Sequence, residues 1–245
     1  VGGVTSTISG NLELQGVNNL IGVTTGSTLN ISGQIFSPLS AGNRRLLKVG
    51  GGILQFTGNQ PNTYTGDTHV LQGTLELGKV GFGADRAVPS SLVIGSNIGG
   101  DNGAIVRLLG PDQIAQVNLF DVALNNITIN SSGRLELNNQ SDTIGNLAMF
   151  TGISYSADVA TGNSGTLTLG GNLLVNTSNV GNTVNTYGAS PVPGSSGATL
   201  AATISGNLAA TISGNLDLGV FYSGGVAGGG FNTRSFAIGD SAYAN

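Results

Sequence analysis

Short runs that alternate apolar and polar residues follow one another along the chain, and glycine bounds most of them. Examples are GSTLNISG at 26–33, GGILQFTG at 51–58, GTLELG at 73–78, GRLELN at 133–138 and GTLTLGG at 165–171. Alternation with a period of two is typical of a strand with one buried face, and the glycines indicate tight turns at its ends. Only residues 111–115, which begin with a proline, predict a single turn of helix.

The alternating runs recur about every twenty residues, which indicates internal repetition. Leu54 and Leu75 are 21 residues apart, as are Ile8 and Leu29. The hexapeptide TISGNL occurs at 7–12, 203–208 and 211–216. Leucine-rich repeats share this period, but their helix and their L-x-x-L-x-L-x-x-N frame do not recur here. Helical repeats lack their helices, and the apolar spacing is too irregular for a left-handed hexapeptide helix. We therefore predict an all-β chain that forms a parallel β-helix.

The prediction makes residues 1–245 a single β-solenoid. Each strand would pair with its counterparts in the neighbouring coils, about 4.8 Å away. Leu, Ile, Val and Phe would then face a narrow bore, and Thr, Ser, Asn and Glu would face outwards. At about twenty residues per coil, the chain would make roughly twelve coils. Residues 79–103 and 178–199 depart from the rhythm and are predicted to be loops that leave the coil.

The composition narrows the function classes. Only 8 % of the residues are charged, the net charge is -4, and Arg44, Arg45 and Lys48 form the one basic cluster. A groove that follows phosphates needs more cations, so we expect no nucleic-acid partner. No apolar run reaches the roughly 18 residues of a membrane span. The chain contains no cysteine, which excludes disulfides and thiolate metal sites.

Residues 48–78, KVGGGILQFTGNQPNTYTGDTHVLQGTLELG, resemble the passenger-associated transport repeat of bacterial autotransporters, also called the autotransporter-associated β-strand repeat. Its usual form is matched by Gly50, Gly52, Leu54, Phe56, Gly58, Asn62, Thr63, Tyr64, Thr65, Gly66, Thr68, Val70, Gly73, Thr74, Leu75 and Leu77. Phe56 in place of leucine and an insertion at Gln60 and Pro61 are the departures.

Other segments look like the usual neighbours of that repeat, so the resemblance is best over 48–149. These segments are 106–116, 127–149, 210–219 and 233–240. The resemblance implies a right-handed β-helix in a passenger region that is extracellular or on the bacterial outer surface. It implies stalk material and no enzyme. No translocator barrel is recognisable in these residues.

Two pairs of ionisable residues are candidate sites. Asp67 and His69 share one face of a strand, but the repeat places them between inward-facing Thr68 and Val70, so we expect an exposed pair on the wall. Glu76 and Glu136 occupy the same outward slot about three coils apart, roughly 14 Å, which is too far for paired glycosidase carboxylates. We predict no catalytic residue, no metal site and no cofactor site.

The glycine-rich segments and the repeat's tyrosine have structural interpretations. GGVAGGGF at 224–231 lacks the Lys-Ser/Thr ending and the following helix of a phosphate loop. GGDNG at 99–103 hints at a calcium turn, but the tandem nonapeptides of β-rolls are missing. The resemblance assigns Tyr64, Asn62 and Thr65 to a corner, where the ring would cover the bore and Asn62 would bond backbone across the turn.

Three function classes remain open on the sequence alone. A structural stalk or fibre segment is favoured, because neither end of the sequence resembles a polar cap; head-to-tail self-association or covalent continuation in a longer chain would cover the end coils. An adhesin that binds glycans or a cell surface through the loops at 79–103 or 178–199 is the alternative. A polysaccharide-degrading β-helix enzyme is the third class, and it would require convergent charged residues in a groove.

Overall fold

The computed structural model describes residues 3–38, 42–81, 86–115, 125–152, 154–177, 210–217 and 236–238, which form strands and turns and no helix. In chain order the strands are β1 Thr5–Ile8, β2 Leu12–Glu13, β3 Asn18–Gly22, β4 Thr28–Ile31, β5 Ile35–Phe36, β6 Arg45–Val49, β7 Ile53–Phe56, β8 Thr68–Val70, β9 Gly73–Leu77, β10 Leu92–Ile94, β11 Ala104–Leu108, β12 Ile127–Ile129, β13 Gly133–Glu136, β14 Asp142–Ile144, β15 Leu147–Thr151, β16 Asp158–Ala160, β17 Thr166–Leu169, β18 Leu173–Thr177, β19 Thr211–Ser213, β20 Asn215–Asp217 and β21 Phe236–Ile238.

Two long parallel sheets run the length of the structure. The first sheet has the order β1-β4-β7-β9-β11-β13-β16-β19, and the second has the order β3-β6-β8-β10-β12-β15-β18-β21. Strands of the two sheets alternate along the chain, so each coil adds one strand to each sheet. This is a parallel β-solenoid, and the predicted fold class is confirmed; its right-handedness stays a prediction.

A third face lies between the end of each first-sheet strand and the start of the next second-sheet strand. Two short sheets, β2-β5 and β14-β17-β20, form its two ends. Between them the described residues form only isolated parallel bridges, from Phe36 to Thr63 and from Val88 to Ile114. The main-chain ladder is therefore interrupted on this face, over coils in which the first two sheets are continuous.

The coils are longer and fewer than the sequence predicts. Leu54 stacks on Leu75 as predicted, but Ile8 stacks on Ile31 and Leu29 stacks on Ser6. Neighbouring first-sheet positions are separated by 21 residues between Gln55 and Glu76 but by 31 between Glu76 and Arg107, because the corners vary in length. Each long sheet therefore contains eight strands, and the estimate of twelve coils is wrong.

Aliphatic side chains of the same column fill the interior. In the first sheet the column runs through Leu54, Leu75, Val106, Leu135 and Val159, all of them buried. Burying one such side chain contributes about 1.5–3 kcal/mol, so each coil stabilises the next through its apolar contacts. The intervening outward positions are polar or partly exposed, as the alternation predicts.

Three features of the sequence look different in the structure. Residues 111–115 form no helical turn, because Ile114 lies in the bridge to Val88. The excursion predicted at 79–103 is interrupted by β10, and the loop predicted at 178–199 lies outside the described residues. Two copies of TISGNL are not equivalent: Ile8 stacks on Ile31, whereas Ile212 stacks on Val159, whose column leads to Ser6.

Candidate functional site

The corner of the 58–78 coil encloses the side chain of Tyr64. Its ring is fully buried and its hydroxyl lies 2.5 Å from the Thr68 hydroxyl, which also faces the interior. Burial raises the pKa of Tyr64 far above its usual range, with a small opposing contribution from the hydrogen bond to Thr68. Thr65 is held from the preceding coil, since its amide donates to the Ser37 hydroxyl at 3.0 Å. The expectation that the tyrosine covers the bore is confirmed.

Asn62 connects three successive coils on the third face. Its Oδ1 accepts a hydrogen bond from the Ile35 amide at 2.9 Å, and its Nδ2 donates to the Ala87 carbonyl at 2.8 Å. The side chain is fully buried. The amide therefore supplies the donor and the acceptor that the interrupted ladder lacks, which is a wider role than bonding across one turn.

The expectation that Asp67 and His69 are both exposed is wrong for His69. His69 faces outwards, as the parity of inward Thr68 and Val70 requires, but only 2 % of it is exposed, because Leu47 and Val93 flank it in the second sheet. Burial lowers the pKa of His69, while Asp67 raises it and Arg45 lowers it further. The imidazole is therefore neutral at pH 7 and packed within the outer surface.

Glu76 and Glu136 lie two coils apart, not three, and they share one cation. Arg107 lies between them: its Nη1 is 3.0 Å from Glu76 Oε1, and its Nε is 2.7 Å from Glu136 Oε2. Gln55 donates to Glu76 at 2.7 Å, and Arg134 pairs with Glu136 at 3.1 Å. The hydrogen bond with Glu136 is the main cause that raises the pKa of Arg107. The acids thus belong to a polar ladder along the outer wall of the first sheet.

Two lysines lie inside the solenoid, which sequence reasoning missed. Lys48 Nζ donates to the carbonyls of Gly50 at 2.5 Å and Gln72 at 2.8 Å, and Lys79 Nζ donates to those of Gly33 and Thr57. Burial lowers the pKa of both lysines to about 8. Both ammonium groups are therefore charged at pH 7, and each one joins carbonyls of different coils.

Asp142 is a buried acid on the third face, as Asn62 is a buried amide there. Its Oδ2 accepts a hydrogen bond from the Ile114 amide at 3.1 Å and its Oδ1 accepts one from the Thr143 amide at 2.8 Å. Burial raises the pKa of Asp142 to about 8, against the opposing effect of these amides. Sequence reasoning missed this residue, although Asp142 and Ile144 show the alternation of an inward-facing pair.

The glycine-rich candidates divide between described and undescribed residues. In GGDNG at 99–103, the Gly103 amide donates to the Gly100 carbonyl at 3.0 Å, and Asn102 has a φ of 51°. That geometry is a tight turn. Residues 224–231 lie outside the described part of the chain. The described residues contain no group of three or more His, Asp or Glu side chains that could hold a metal ion.

The described polar side chains mostly bond to one another or to the main chain of neighbouring coils. Asn126, Asn146 and Asn172 show this at another corner: Asn126 Oδ1 accepts from the Asn146 amide at 2.9 Å, and Asn146 Oδ1 accepts from the Asn172 amide at 2.7 Å. No helix long and apolar enough to cross a membrane occurs in the described ranges. These hydrogen bonds join each coil to its neighbours.

Residues 46–77 match the family model described as the passenger-associated-transport-repeat. The match covers the Tyr64 corner, the Asn62 bridge and Lys48. No curated protein and no solved structure matches the chain. The repeat expected at 48–78 is therefore confirmed, and it is typical of the passenger regions of autotransporters, which are secreted to the cell surface or beyond. The resemblance of 106–116, 127–149, 210–219 and 233–240 to neighbouring segments stays a prediction.

Proposed function

We propose, from the passenger-associated transport repeat at residues 46–77, that this chain is a structural segment of an extracellular stalk or fibre. The observation that carries the proposal is the unbroken stacking of eight strands in each long sheet, with side chains of each column in contact from coil to coil. Such a stack is extended and gains stability with every coil. We propose no catalytic activity for it.

The polar side chains support the same proposal. The guanidinium of Arg107 is held by Glu76 and Glu136, and the amide of Asn62 by main-chain groups of two coils. Groups held in this way stiffen the wall of a rod. An enzyme would instead need charged groups that converge on a substrate.

Association end to end is a further part of the proposal. In the first described coil, β1 and β3 pair with neighbours on one side only, and Val4 and Ile8 are exposed. Edge strands of this kind present unpaired N–H and C=O groups to another strand. We propose that another coil covers them, supplied by a longer chain or by a second copy.

Electron microscopy of the purified chain over a range of concentrations tests the proposal. Eight coils predict particles about 35 Å long along the axis, and association predicts rods of constant width whose length grows with concentration. Isolated globular particles at every concentration would contradict the proposed association into fibres. Small-angle X-ray scattering on the dilute sample then shows separately whether the single chain is elongated.

Binding of glycans or cell surfaces is a second candidate, and one residue favours it. Ile98 is 77 % exposed in the loop between β10 and β11, and the adjacent Asn97 is anchored by the Ser131 amide at 3.0 Å. An exposed apolar side chain on a fixed loop suits recognition. Glycan-array binding that decreases in Ile98→Ser and persists in Val80→Ser would favour an adhesin. If the unaltered chain binds no glycan, the structural proposal is the one that remains.

A further inference from the structure

An octapeptide occurs twice in tandem at the last described coil. The sequence AATISGNL fills positions 201–208 and returns without a break at 209–216. The second copy contributes β19 and the first two residues of β20. The first copy lies outside the described part of the chain. One place in the solenoid therefore has two identical candidate occupants in the sequence.

The second copy is held by contacts that its own residues supply. Ile212 and Leu216 pack against the hydrophobic core. The Asn215 amide donates to the Thr161 hydroxyl at 2.9 Å, and the Asn215 side chain donates to the Gly165 carbonyl at 3.2 Å. The isoleucine, the leucine and the asparagine that make these contacts recur in the same order in the first copy.

The glycine of the octapeptide occupies a position that excludes other residues. Gly214 has a φ of 112°, a conformation that glycine adopts without steric cost. A Cβ at this position would overlap the hydroxyl oxygen of Thr161. The first copy has Gly206 at the equivalent place. The first copy therefore also meets the strictest steric requirement of this site.

A shift by one octapeptide keeps every side chain on its face of the sheet. Side chains alternate between the two faces of a strand, so an even shift places Ile204 at the inward position of Ile212. The last residue of β20 is the exception, because Ala209 would replace Asp217 there. Asp217 is exposed, and the exchange of an exposed residue usually changes stability little.

The connections on either side of the coil tolerate the same shift. It takes one octapeptide from the connection between β18 and β19 and adds it to the connection between β20 and β21. The entropic cost of closing a connection grows only with the logarithm of its length, so this transfer alters the equilibrium by less than about twofold. Chain closure therefore does not select one copy over the other.

We propose that the two copies exchange on the edge formed by β16 and β17, so that either 201–208 or 209–216 completes the coil. The exchange moves one octapeptide from one side of the coil to the other and keeps the core contacts. It gives the solenoid a place where chain length is taken up or released while the coil stays closed. The exchange follows from the duplicated sequence and does not rest on the proposed stalk function.

Cysteine pairs on the outer face of the first sheet test the exchange. Ala160 and Ser213 are register partners, about 4.8 Å apart across the strands, and Ser205 corresponds to Ser213 in the first copy. In the full chain, Ala160→Cys with Ser213→Cys and Ala160→Cys with Ser205→Cys should both form an intramolecular disulfide, at rates within about tenfold of each other. Ala160→Cys with Thr199→Cys is the control and should oxidise much more slowly, because Thr199 precedes the repeated octapeptide.

A charge in one copy separates exchange from chance approach of the chain. Ile212→Asp places a carboxylate at the inward position of the second copy, so the Ser205 pair should still form its disulfide and the Ser213 pair should not. Ile204→Asp should give the reverse. Oxidation of both pairs or of neither pair in Ile212→Asp would overturn the exchange. It would also be overturned if the Ser205 pair oxidised no faster than the Thr199 pair.

Discussion

Leu75 and Glu76 are adjacent residues with opposite environments. Leu75 stacks between Leu54 and Val106 with no exposed surface, whereas Glu76 joins the outer ladder through Arg107. We expect Leu75→Asp to lower the free energy of unfolding by about 3–5 kcal/mol, because it places an unpaired charge in the bore. Glu76→Ala should cost about 1 kcal/mol or less, since Arg107 keeps Glu136. Denaturant unfolding followed by circular dichroism measures both, and equal losses would show that the inward and outward assignment is wrong.

Gly73 begins β9 with a φ of 71°, a left-handed conformation that other residues adopt at a cost. A Cβ at this position would lie 2.5 Å from the Gly50 carbonyl oxygen and 2.6 Å from Lys48 Nζ. We expect Gly73→Ala to cost more than about 2 kcal/mol, measured as a shift of the denaturation midpoint. Gly100→Ala is the matched control, because nothing lies within 4 Å of its added Cβ. A tolerated Gly73→Ala would contradict the packing of Lys48 against this corner.

At the scale of one element, the Asn62 bridge explains how a coil keeps its place where the ladder is interrupted. Asn62→Leu keeps the branching of the side chain and leaves the Ile35 amide and the Ala87 carbonyl unpaired. Each buried orphan group costs about 1–3 kcal/mol, so the expected loss of unfolding free energy is about 2–5 kcal/mol. Asn163→Ala, at an exposed corner, should stay within about 0.5 kcal/mol. Similar small losses in both variants would mean that the third face does not depend on this amide.

The strands of the long sheets could be predicted because alternation and glycine spacing are local signals. All five alternating runs contain a strand; four of these strands, for example β7 and β9, lie in the first long sheet, and β17 lies in a short sheet of the third face. Corner length could not be predicted, because a loop of any length returns to the same column. For this reason the spacing of 21 residues suggests that Ile8 stacks on Leu29, whereas Ile8 stacks on Ile31.

The buried polar residues show a second limit of sequence reasoning. Lys48 follows Leu46 by two positions and Asp142 precedes Ile144 by two, so both have the parity of inward residues. Charged side chains are usually expected to face solvent, so the sequence alone does not predict that these two are buried. Their burial depends on neighbouring carbonyls and amides that pair with them, and the sequence does not show where those groups lie. His69 was misassigned for a similar reason: its outward direction follows from parity, but its cover by Leu47 and Val93 depends on side chains of other coils.

At the scale of the whole molecule, the solenoid distributes its stability over contacts between neighbouring coils. The long sheets bind every coil in the described residues, and the third face binds them through bridges and the side chains of Asn62 and Asp142. Local changes on that face should therefore open neighbouring coils without unfolding the rod.

Residues far apart in sequence lie one coil apart in space, and an introduced pair of cysteines tests this stacking most directly. Thr74 and Ile105 are partners on the outer face of the first sheet, so Thr74→Cys with Ile105→Cys places two thiols about 4.8 Å apart along the stack, within disulfide reach. The chain has no cysteine of its own. We expect rapid oxidation to an intramolecular disulfide in this variant and none in Thr28→Cys with Ile105→Cys, which lie three coils and about 14 Å apart. Equal oxidation of the two pairs, or none in the first, would contradict the stacking.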